Sequence, residues 1–287
     1  MVIFKRAADL VGYLEKQRIA GRKIGFVPTL GALHEGHISL ITISKKNTSL
    51  TVCSIFVNPT QFNDPRDFQK YPITIEKDIL LLEKAGTDVL FLPEVSEMYP
   101  GGTKGLEHYD LGPLETLLEG EFRPGHFQGV SQVMQRLLTV VRPDDLFMGS
   151  KDYQQCMVVQ RLLHLMALPT TLVRCPILRE PDGLAMSSRN VRLDLAQRHR
   201  ATAIYKVLIG IRTAWRAIPG SGKPFSSAVT RVIKEATELL ERAGFRVDYV
   251  AIADRDTLQP APEGSQNAVA LIAAFMGEVR LIDNMTL

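Results

Sequence analysis

Short apolar runs alternate with longer amphipathic segments over the first 178 residues of the chain. Short apolar runs bounded by polar residues, Gly or Pro predict buried strands at 23–27, 50–57, 88–92, 145–148 and 171–177. Apolar residues with a period near 3.6 predict helices at 7–20, after the turn 28–36, and at 74–85, 129–141 and 152–166. Pro28 is expected to end the ladder of the first strand.

This alternation is typical of βαβ units, in which parallel strands are joined by right-handed crossovers. We therefore predict an α/β fold with a Rossmann-like, doubly wound sheet of five parallel strands. The ligand crevice of such a sheet lies at the carboxyl ends of its strands. Residues 94–127 are richer in Gly, Pro and aromatic residues and are expected to form an irregular excursion over those strand ends.

The pattern changes after Leu178. Two helices are predicted at 193–217 and 225–243, separated by the linker IPGSGKP, and three apolar strands follow at 247–253, 268–276 and 279–284. The tight turn at Gly277–Glu278 joins the last two strands. We therefore predict two domains: a Rossmann-like catalytic domain at 1–178 and a smaller C-terminal α+β domain with an antiparallel sheet at 179–287.

Composition adds three expectations. The 287 residues are 45% apolar and 23% charged, which is typical of a globular protein whose core needs no disulfides. The net charge of +3 is too small and too dispersed for nucleic acid to be the main partner. Cys53, Cys156 and Cys175 lie in apolar runs without CxxC spacing, and no signal-peptide core or long apolar stretch occurs, so we expect a cytoplasmic protein without a membrane anchor.

The candidate chemistry begins in the turn IGFVPTLGALHEGH, between the first strand and its helix. Gly31 and Gly36 allow backbone to approach a ligand closely, and a helix start offers unpaired N–H groups to an anion. His34 and His37 are three residues apart, which places both on one side of the turn and suits phosphate oxygens. Two surface histidines or a His-x-x-His metal site are the alternatives, and the second lacks a nearby third ligand.

Two further clusters follow strands of the same predicted sheet. Lys151 lies in GSKDYQQ after the strand 145–148, where it can reach a phosphate, and Asp152 favours the dipole of the next helix. The run Met186 to Asn190 supplies two hydroxyl groups and a guanidinium after the fifth strand. Each cluster alone is equally typical of an ordinary helix start, so their common position at strand ends carries the hypothesis.

Six motifs together resemble the pantoate–β-alanine ligase (pantothenate synthetase) family of the HxGH nucleotidyltransferase-like superfamily. They are PTLGALHEGHISL, SIFVNPTQF, FRPGHFQGV, MGSKDYQQ, AMSSRN and VDYVAIAD, and the resemblance runs nearly from end to end. It implies ATP-dependent condensation of (R)-pantoate with β-alanine through a pantoyl adenylate, with release of AMP and pyrophosphate. It also implies Mg²⁺ with the ATP, a homodimer, and a C-terminal domain that acts as a lid.

The resemblance also implies roles for individual residues. The implied catalytic residues are His34, His37, Lys151, Ser187, Ser188 and Arg189, with His37 as the acid. The implied ATP-binding residues are Leu30, Gly31, Ala32, Leu33, His34, Glu35, Gly36, His37, Gly149, Ser150, Lys151, Asp152, Leu178, Met186, Ser187, Ser188 and Arg189. The implied pantoate and β-alanine residues are Gln61, Gln155, Asn58 and Phe56, while Arg123 and His126 border the pantoate side.

The sequence departs from the family pattern at three positions. Leu30 replaces the usual Met and Leu178 a frequent Val, which are conservative packing changes. Ser150 replaces a common Glu and so removes a charge beside the ATP site. Protein ligands for Mg²⁺ are unknown, and Asp78 is the one candidate in its run. The apolar strand SLTVCSIFV adds to the expectation of a homodimer.

Two other functions fit parts of the pattern. An adenylyltransferase that acts on a phosphate-bearing acceptor would call for additional Arg or Lys in a pocket where Gln61 and Gln155 are expected. A nucleotide-binding module without activity would have lost at least one phosphate contact, yet His34, His37, Lys151 and Arg189 are present.

Overall fold

A computed structural model describes residues 1–217 and 224–287. The chain divides into two compact units that interleave along the sequence. The first unit comprises Met1–Thr116, Arg123–Ser150 and Gln155–Leu178, and the second comprises Leu117–Phe122, Lys151–Gln154 and Arg179–Leu287. The predicted linker falls on 218–223, outside the described residues, up to Pro224.

The first unit is built on a six-stranded sheet whose strands are all parallel. Its strands are β1 (Val2–Phe4), β2 (Ile24–Thr29), β3 (Leu50–Ile55), β4 (Val89–Phe91), β5 (Asp145–Gly149) and β6 (Thr171–Cys175), in the order β1-β4-β3-β2-β5-β6. The helices that precede β6 in the chain are α1 (Ala7–Ile19), α2 (Glu35–Asn47), α3 (Pro65–Gln69), α4 (Ile75–Lys84), α5 (Val95–Met98), α6 (Glu119–Phe122), α7 (His126–Val141) and α8 (Tyr153–Leu165). Of these, α6 belongs to the second unit. The predicted Rossmann-like α/β fold is confirmed.

Both faces of this sheet are covered, which explains its continuous apolar strands. Phe26 of β2 and Val52 of β3 belong to a core shared with α1, α7 and α8, whereas their neighbours Val27 and Cys53 belong to a core shared with α2 and α4. Successive side chains of a strand point to opposite faces, so a strand buried on both sides has no polar face.

Burial of β3 corrects one argument from the sequence. All six residues of this strand are buried between β2 and β4 of the same chain. Its apolar run is therefore explained by the sheet, and it carries no information about a homodimer.

Two expectations about the strands are wrong. β1 was not predicted, because its run of three residues is too short to show a period. Pro28 does not end β2, which continues to Thr29, with Pro28 paired to Ser54. The carbonyl of Ile24 accepts from Asp144, so Pro28, four residues on, has its nitrogen on the β5 side, where pairing has ended at Phe26. No ladder donor is needed there.

The strand order places the predicted ligand crevice. From β2 the chain moves outward to β3 and β4, and later returns to β5 on the other side of β2. Ligands of such sheets bind at this reversal, beyond the carboxyl ends of the strands. The loops after β2, β3 and β5 therefore share one edge, which we call the carboxyl edge.

The second unit contains a three-stranded antiparallel sheet, as predicted. Its strands β7 (Phe245–Asp254), β8 (Ala268–Met276) and β9 (Val279–Thr286) pair in the order β7-β8-β9. Its principal helices are α9 (Leu195–Ala201), α10 (Ala203–Ala217) and α11 (Pro224–Arg242). The single helix predicted at 193–217 is wrong, because the segment is divided into α9 and α10.

The excursion at 94–127 is more ordered than expected. It contains the one-turn helices α5 and α6 and a 3-10 turn at Gly112–Glu115, and α7 begins at His126 rather than at residue 129. No helix within the described ranges has the length and apolar character needed to cross a membrane.

Candidate active site

The turn after β2 has the strained backbone that its glycine predicts. Gly31 and Ala32 both have positive φ, at 79° and 48°. A Cβ on Gly31 would lie 3.0 Å from Cγ2 of Ile55 and 3.1 Å from Oδ2 of Asp78. Only a residue without a side chain meets both demands, since positive φ and close approach each disfavour a Cβ.

The carboxylate of Asp78 holds this turn in place. It is fully buried, and its two oxygens accept from the backbone N–H of Ala32 at 2.9 Å and of Leu33 at 2.8 Å. Thr74 Oγ1 adds a third hydrogen bond at 3.0 Å. The Leu33 side chain is itself buried in the core. Asp78 is thus a backbone clamp, which the sequence did not indicate, since an acid in the first turn of α4 is common.

The two histidines cap α2 reciprocally. His34 is the N-cap, and its Nδ1 accepts from the N–H of Gly36 at 3.1 Å. His37 Nδ1 accepts from the N–H of His34 at 3.3 Å, and the ring centroids are 4.1 Å apart. Because each Nδ1 is an acceptor, the proton of each neutral ring lies on Nε2. The turn therefore presents two imidazole N–H donors side by side.

The expectation of unpaired backbone N–H groups at this helix start is wrong for most of the turn. Gly31 N–H donates to Thr29 Oγ1 at 3.2 Å, and His37 N–H donates to His34 O at 2.8 Å. The N–H groups of Ala32 and Leu33 donate to Asp78, and those of His34 and Gly36 donate to the histidine rings. Glu35 is the exception. Most backbone N–H groups of this turn are therefore used within the protein.

The loop after β3 orients the amide of Gln61. Asn58 is fully buried, and its Oδ1 accepts from the Tyr99 hydroxyl at 2.7 Å. Its Nδ2 donates to Gly129 O at 3.1 Å and to Gln61 Oε1 at 3.3 Å. Since Gln61 Oε1 accepts from Asn58, the orientation of the Gln61 amide is fixed and its Nε2 group points away from that bond as the donor.

The FRPGHF segment supports the same loop through its backbone. His126 is buried, and its Nδ1 lies 2.7 Å from the carbonyl oxygen of Gln61. Its Nε2 lies 3.1 Å from Nη1 of Arg123, which can only donate. His126 therefore carries its proton on Nδ1 and donates to Gln61. A Cβ on Gly129 would lie 2.2 Å from Thr60 O, so α7 packs directly on the 59–61 turn.

The other residues predicted in this unit have varied settings. Phe56 is 5% exposed and lies in the main core. Gln155 is half-buried in the first turn of α8, and the carboxyl end of β5 supplies Gly149 and Ser150. Leu30 is half-buried, and Leu178 is exposed after β6.

A groove of about 490 Å³ in the first unit lies beside the Gln61 turn. Pro59, Thr60, Phe62 and Gly129 contribute to its walls. None of the predicted site residues lines this groove.

In the second unit, Lys151 is fixed through its backbone. Its ammonium lies 3.5 Å from Oδ2 of Asp152, and its carbonyl oxygen accepts from Asn284 Nδ2 at 2.9 Å. Gln154, which is buried, accepts from Glu119 N–H at 3.1 Å and donates to Leu117 O at 2.8 Å. Of the two consecutive glutamines, Gln154 is therefore structural.

The Met186–Arg189 segment follows a short hairpin in the second unit. Arg179 and Ala185 form its bridge, and Glu180 N–H donates to Leu184 O at 2.8 Å. Ser187 then caps the 3-10 turn Ser188–Arg192, since its Oγ accepts from Arg189 N–H at 3.3 Å. Ser188 is buried, whereas Met186, Ser187 and Arg189 are half-buried.

Dedicated metal ligands are not clustered in the part of the chain that the structure describes. Its residues include no group of three or more His, Cys, Asp and Glu side chains able to hold a metal ion. Asp78, the candidate from the sequence, uses both oxygens on the turn.

The family comparison and the sequence comparison point to the same family of proteins. Residues 2–286 match the model of the family described as pantoate-beta-alanine ligase. A pantothenate synthetase of Porphyromonas gingivalis is 43% identical over 287 residues, which cover 99% of each chain.

Solved structures agree. A pantothenate synthetase from Thermus thermophilus superimposes with a TM-score of 0.89 at 39% identity, covering 100% of this chain and 99% of that one. A pantoate-beta-alanine ligase from Francisella tularensis, complexed with beta-gamma ATP and beta-alanine, has a TM-score of 0.81 at 35% identity, with 100% and 97% covered.

Proposed function

The chain belongs to the pantoate-beta-alanine ligase family, whose reaction is the ATP-dependent condensation of pantoate with β-alanine. We propose that this reaction proceeds through a pantoyl adenylate. A carboxylate oxygen of (R)-pantoate attacks the α-phosphorus of ATP, and the bond to the bridging oxygen breaks to release pyrophosphate. The amine of β-alanine then attacks the acyl carbon, AMP leaves with the former carboxylate oxygen, and the amine loses a proton. The products are pantothenate, AMP and pyrophosphate.

The paired Nε2–H donors of His34 and His37 carry this proposal. Charge grows on the leaving pyrophosphate as its bond to the α-phosphorus breaks, and fixed donors directed at that charge lower the barrier. The Nδ1 caps hold both rings in this orientation before substrate binds. In this scheme His37 is the acid.

Neutral amides suit the nucleophile. Gln61 and Gln155 hold pantoate, with Gln61 also near β-alanine. Neutral amides leave more electron density on the reacting carboxylate than a bidentate guanidinium would. Asn58 supports Gln61 through its Nδ2 hydrogen bond, and Phe56 lies in the core with its ring 6.3 Å from that of Tyr99. Catalysis then rests on positioning and on charge stabilisation, without a covalent enzyme intermediate.

The remaining cationic and hydroxyl groups complete the ATP site. Lys151, Ser187, Ser188 and Arg189 serve the phosphates as catalytic residues together with the two histidines. The full ATP-binding set comprises residues 30–37, 149–152, 178 and 186–189. ATP enters as its Mg²⁺ complex, since Mg²⁺ is commonly held by substrate phosphates and water rather than by a protein cage.

Three wider features belong to the same proposal. Residues 1–178 form the catalytic domain and residues 179–287 a lid domain that shields the adenylate from water. The enzyme works as a homodimer, and it works in the cytoplasm, which is consistent with Cys53, Cys156 and Cys175 being buried thiols rather than disulfide partners.

Isotope transfer tests the intermediate. With both carboxylate oxygens of pantoate labelled with ¹⁸O, the adenylate route transfers one label to AMP and leaves one in pantothenate. Mass spectrometry of AMP is the measurement. Unlabelled AMP, or ADP together with labelled inorganic phosphate, would show a different activation and overturn the proposal.

A further inference from the structure

Two consecutive residues of β9 each hold a different part of the second unit. Asp283 and Asn284 are both buried, with 3% and 5% of their surface exposed. Asn284 Nδ2 donates to the carbonyl oxygen of Lys151 at 2.9 Å. Asp283 accepts from both terminal nitrogens of Arg179, at 2.6 and 2.9 Å. The strand thus connects two segments that are distant in sequence.

The Arg179 guanidinium makes four hydrogen bonds and one ring contact. Nη1 also donates to Gly183 O at 3.0 Å, and Nη2 to Asn284 O at 3.3 Å. The guanidinium carbon lies 4.4 Å from the centre of the Tyr205 ring. A bidentate pair with two further acceptors leaves the side chain no alternative position, so Arg179 ties its backbone to β9.

Arg179 begins the hairpin that precedes Met186–Arg189. Its bridge partner is Ala185, and the carbonyl of Ala185 accepts from Asn190 Nδ2 at 3.0 Å. The segment carrying Ser187 and Arg189 is therefore closed at both ends by residues whose position depends on Arg179. A shift of Asp283 would therefore disturb the hairpin from which this segment extends.

The charges of the cluster are consistent with this arrangement. Burial raises the pKa of Asp283, and the Arg179 guanidinium and the Lys151 ammonium act in the opposite direction. Asn284 N–H donates to Asp283 Oδ1 at 2.8 Å and so supports the carboxylate.

We propose that Asp283 and Asn284 are positioning residues that set the spacing between Lys151 and the Ser187–Arg189 segment for the triphosphate. This inference rests on the proposed function, in which both segments bind ATP phosphates. Fixed spacing matters because a small misplacement of phosphate donors loses most of their effect on the transition state. The attack of β-alanine on the finished adenylate involves no pyrophosphate, so it does not depend on that spacing.

The two half-reactions separate this role from a merely structural one. Pantoate-dependent exchange of labelled pyrophosphate into ATP reports adenylate formation. Conversion of synthetic pantoyl adenylate and β-alanine to pantothenate reports the second step. We expect Asn284→Ala and Asp283→Asn to slow the exchange about 10- to 100-fold and to leave the second step within about two-fold.

A matched control lies on the same hairpin. Asp182 pairs with Arg198 at 2.7 Å, but this pair is partly exposed and does not reach β9. Asp182→Asn should leave both half-reactions within about two-fold. Asp283→Asn keeps the side-chain volume, and melting temperatures measured for all variants identify any that unfold.

A double variant tests whether Asn284 acts through Lys151. If it does, adding Asn284→Ala to Lys151→Ala slows the exchange little beyond Lys151→Ala alone, because coupled residues are not additive. Full additivity, exchange rates near wild type, or equal loss of both half-reactions in folded variants would overturn the inference. Absence of pantoate-dependent exchange in the wild-type enzyme would instead overturn the proposed adenylate route.

Discussion

The Asp78 carboxylate accepts a hydrogen bond from the backbone N–H of Leu33 at 2.8 Å, although the two residues lie on different elements. Its other oxygen accepts from the preceding N–H of the turn, that of Ala32. These bonds stabilise a positive φ at Ala32, which is unfavourable for a residue with a side chain. The clamp therefore fixes the backbone that leads directly into His34.

We expect Asp78→Asn to destabilise the protein and weaken ATP use together. The amide keeps one acceptor but sets an N–H₂ group against a buried backbone donor, which costs about 1–3 kcal/mol. Urea denaturation measures the loss, and the KM for ATP should rise.

The control for Asp78 is Glu76→Gln, in the first turn of the same helix and exposed. It should change the free energy of unfolding by less than about 0.5 kcal/mol. Equal effects of the two substitutions would show that the clamp does not hold the turn.

The parallel sheet was predictable because each βαβ unit is local in sequence and buried on both faces. Strand ends were less predictable. Pro28 lies within β2 because its nitrogen needs no partner, and this depends on where the pairing of β2 with β5 ends, at Phe26. β1 pairs with β4, far along the chain, and its three residues carry no periodic signal.

His34→Asn and His37→Asn will rank the two histidines. Asn supplies an acceptor near the position of Nδ1, so it keeps the cap while removing the Nε2–H donor. Loss of a donor to developing charge slows reactions about 100- to 1,000-fold. We expect the larger loss of pyrophosphate release for His37→Asn, measured in a single turnover.

The stability of the same variants is the control. His37→Ala loses both cap and donor and should be less stable than His37→Asn by about 0.5–2 kcal/mol. If the two Asn variants retain wild-type single-turnover rates, the histidines do not stabilise the leaving group.

Tyr99→Phe should raise the KM for pantoate while sparing that for ATP. Burial raises the pKa of Tyr99, so its hydroxyl stays a donor to Asn58 and keeps the amide of Gln61 oriented. Loss of one hydrogen bond of about 1 kcal/mol corresponds to roughly a five-fold change. Steady-state kinetics with each substrate varied in turn is the measurement.

Tyr109→Phe is the matched control, since Tyr109 lies in the same core but its hydroxyl donates to Glu107. Its KM values should stay near wild type. A rise in the KM for ATP in Tyr99→Phe alone would contradict the assignment of Gln61 to pantoate.

The groups of the candidate site were predictable as types, and their supports were not. His34, Gln61 and Lys151 follow strand ends, where parallel sheets bind ligands. Asp78 and Asn284 act through backbone atoms distant in sequence, which no local pattern reveals. The sequence does show polar residues within an apolar strand, as in VRLIDN. Such residues are expected to have hydrogen-bond partners when buried, but the sequence does not show which residues those partners are.

Ionisation of Cys53 is expected to make the free energy of unfolding depend on pH in the alkaline range. Burial raises the pKa of this thiol from 9.0 to about 12. Below pH 9 both folded and unfolded chains keep the proton, so the contribution of the thiol is fully present. As the pH rises from 9 toward 12 the unfolded thiol ionises and the folded one does not, and stability falls by up to about 1.4 kcal/mol per pH unit.

We therefore expect the stability difference between wild type and Cys53→Ala to shrink over this range in urea denaturation. Val52→Ala, a neighbouring buried change without a titrating group, should keep a constant difference from wild type. Parallel curves for wild type and Cys53→Ala would show that the thiol ionises as readily in the folded protein as in the unfolded chain.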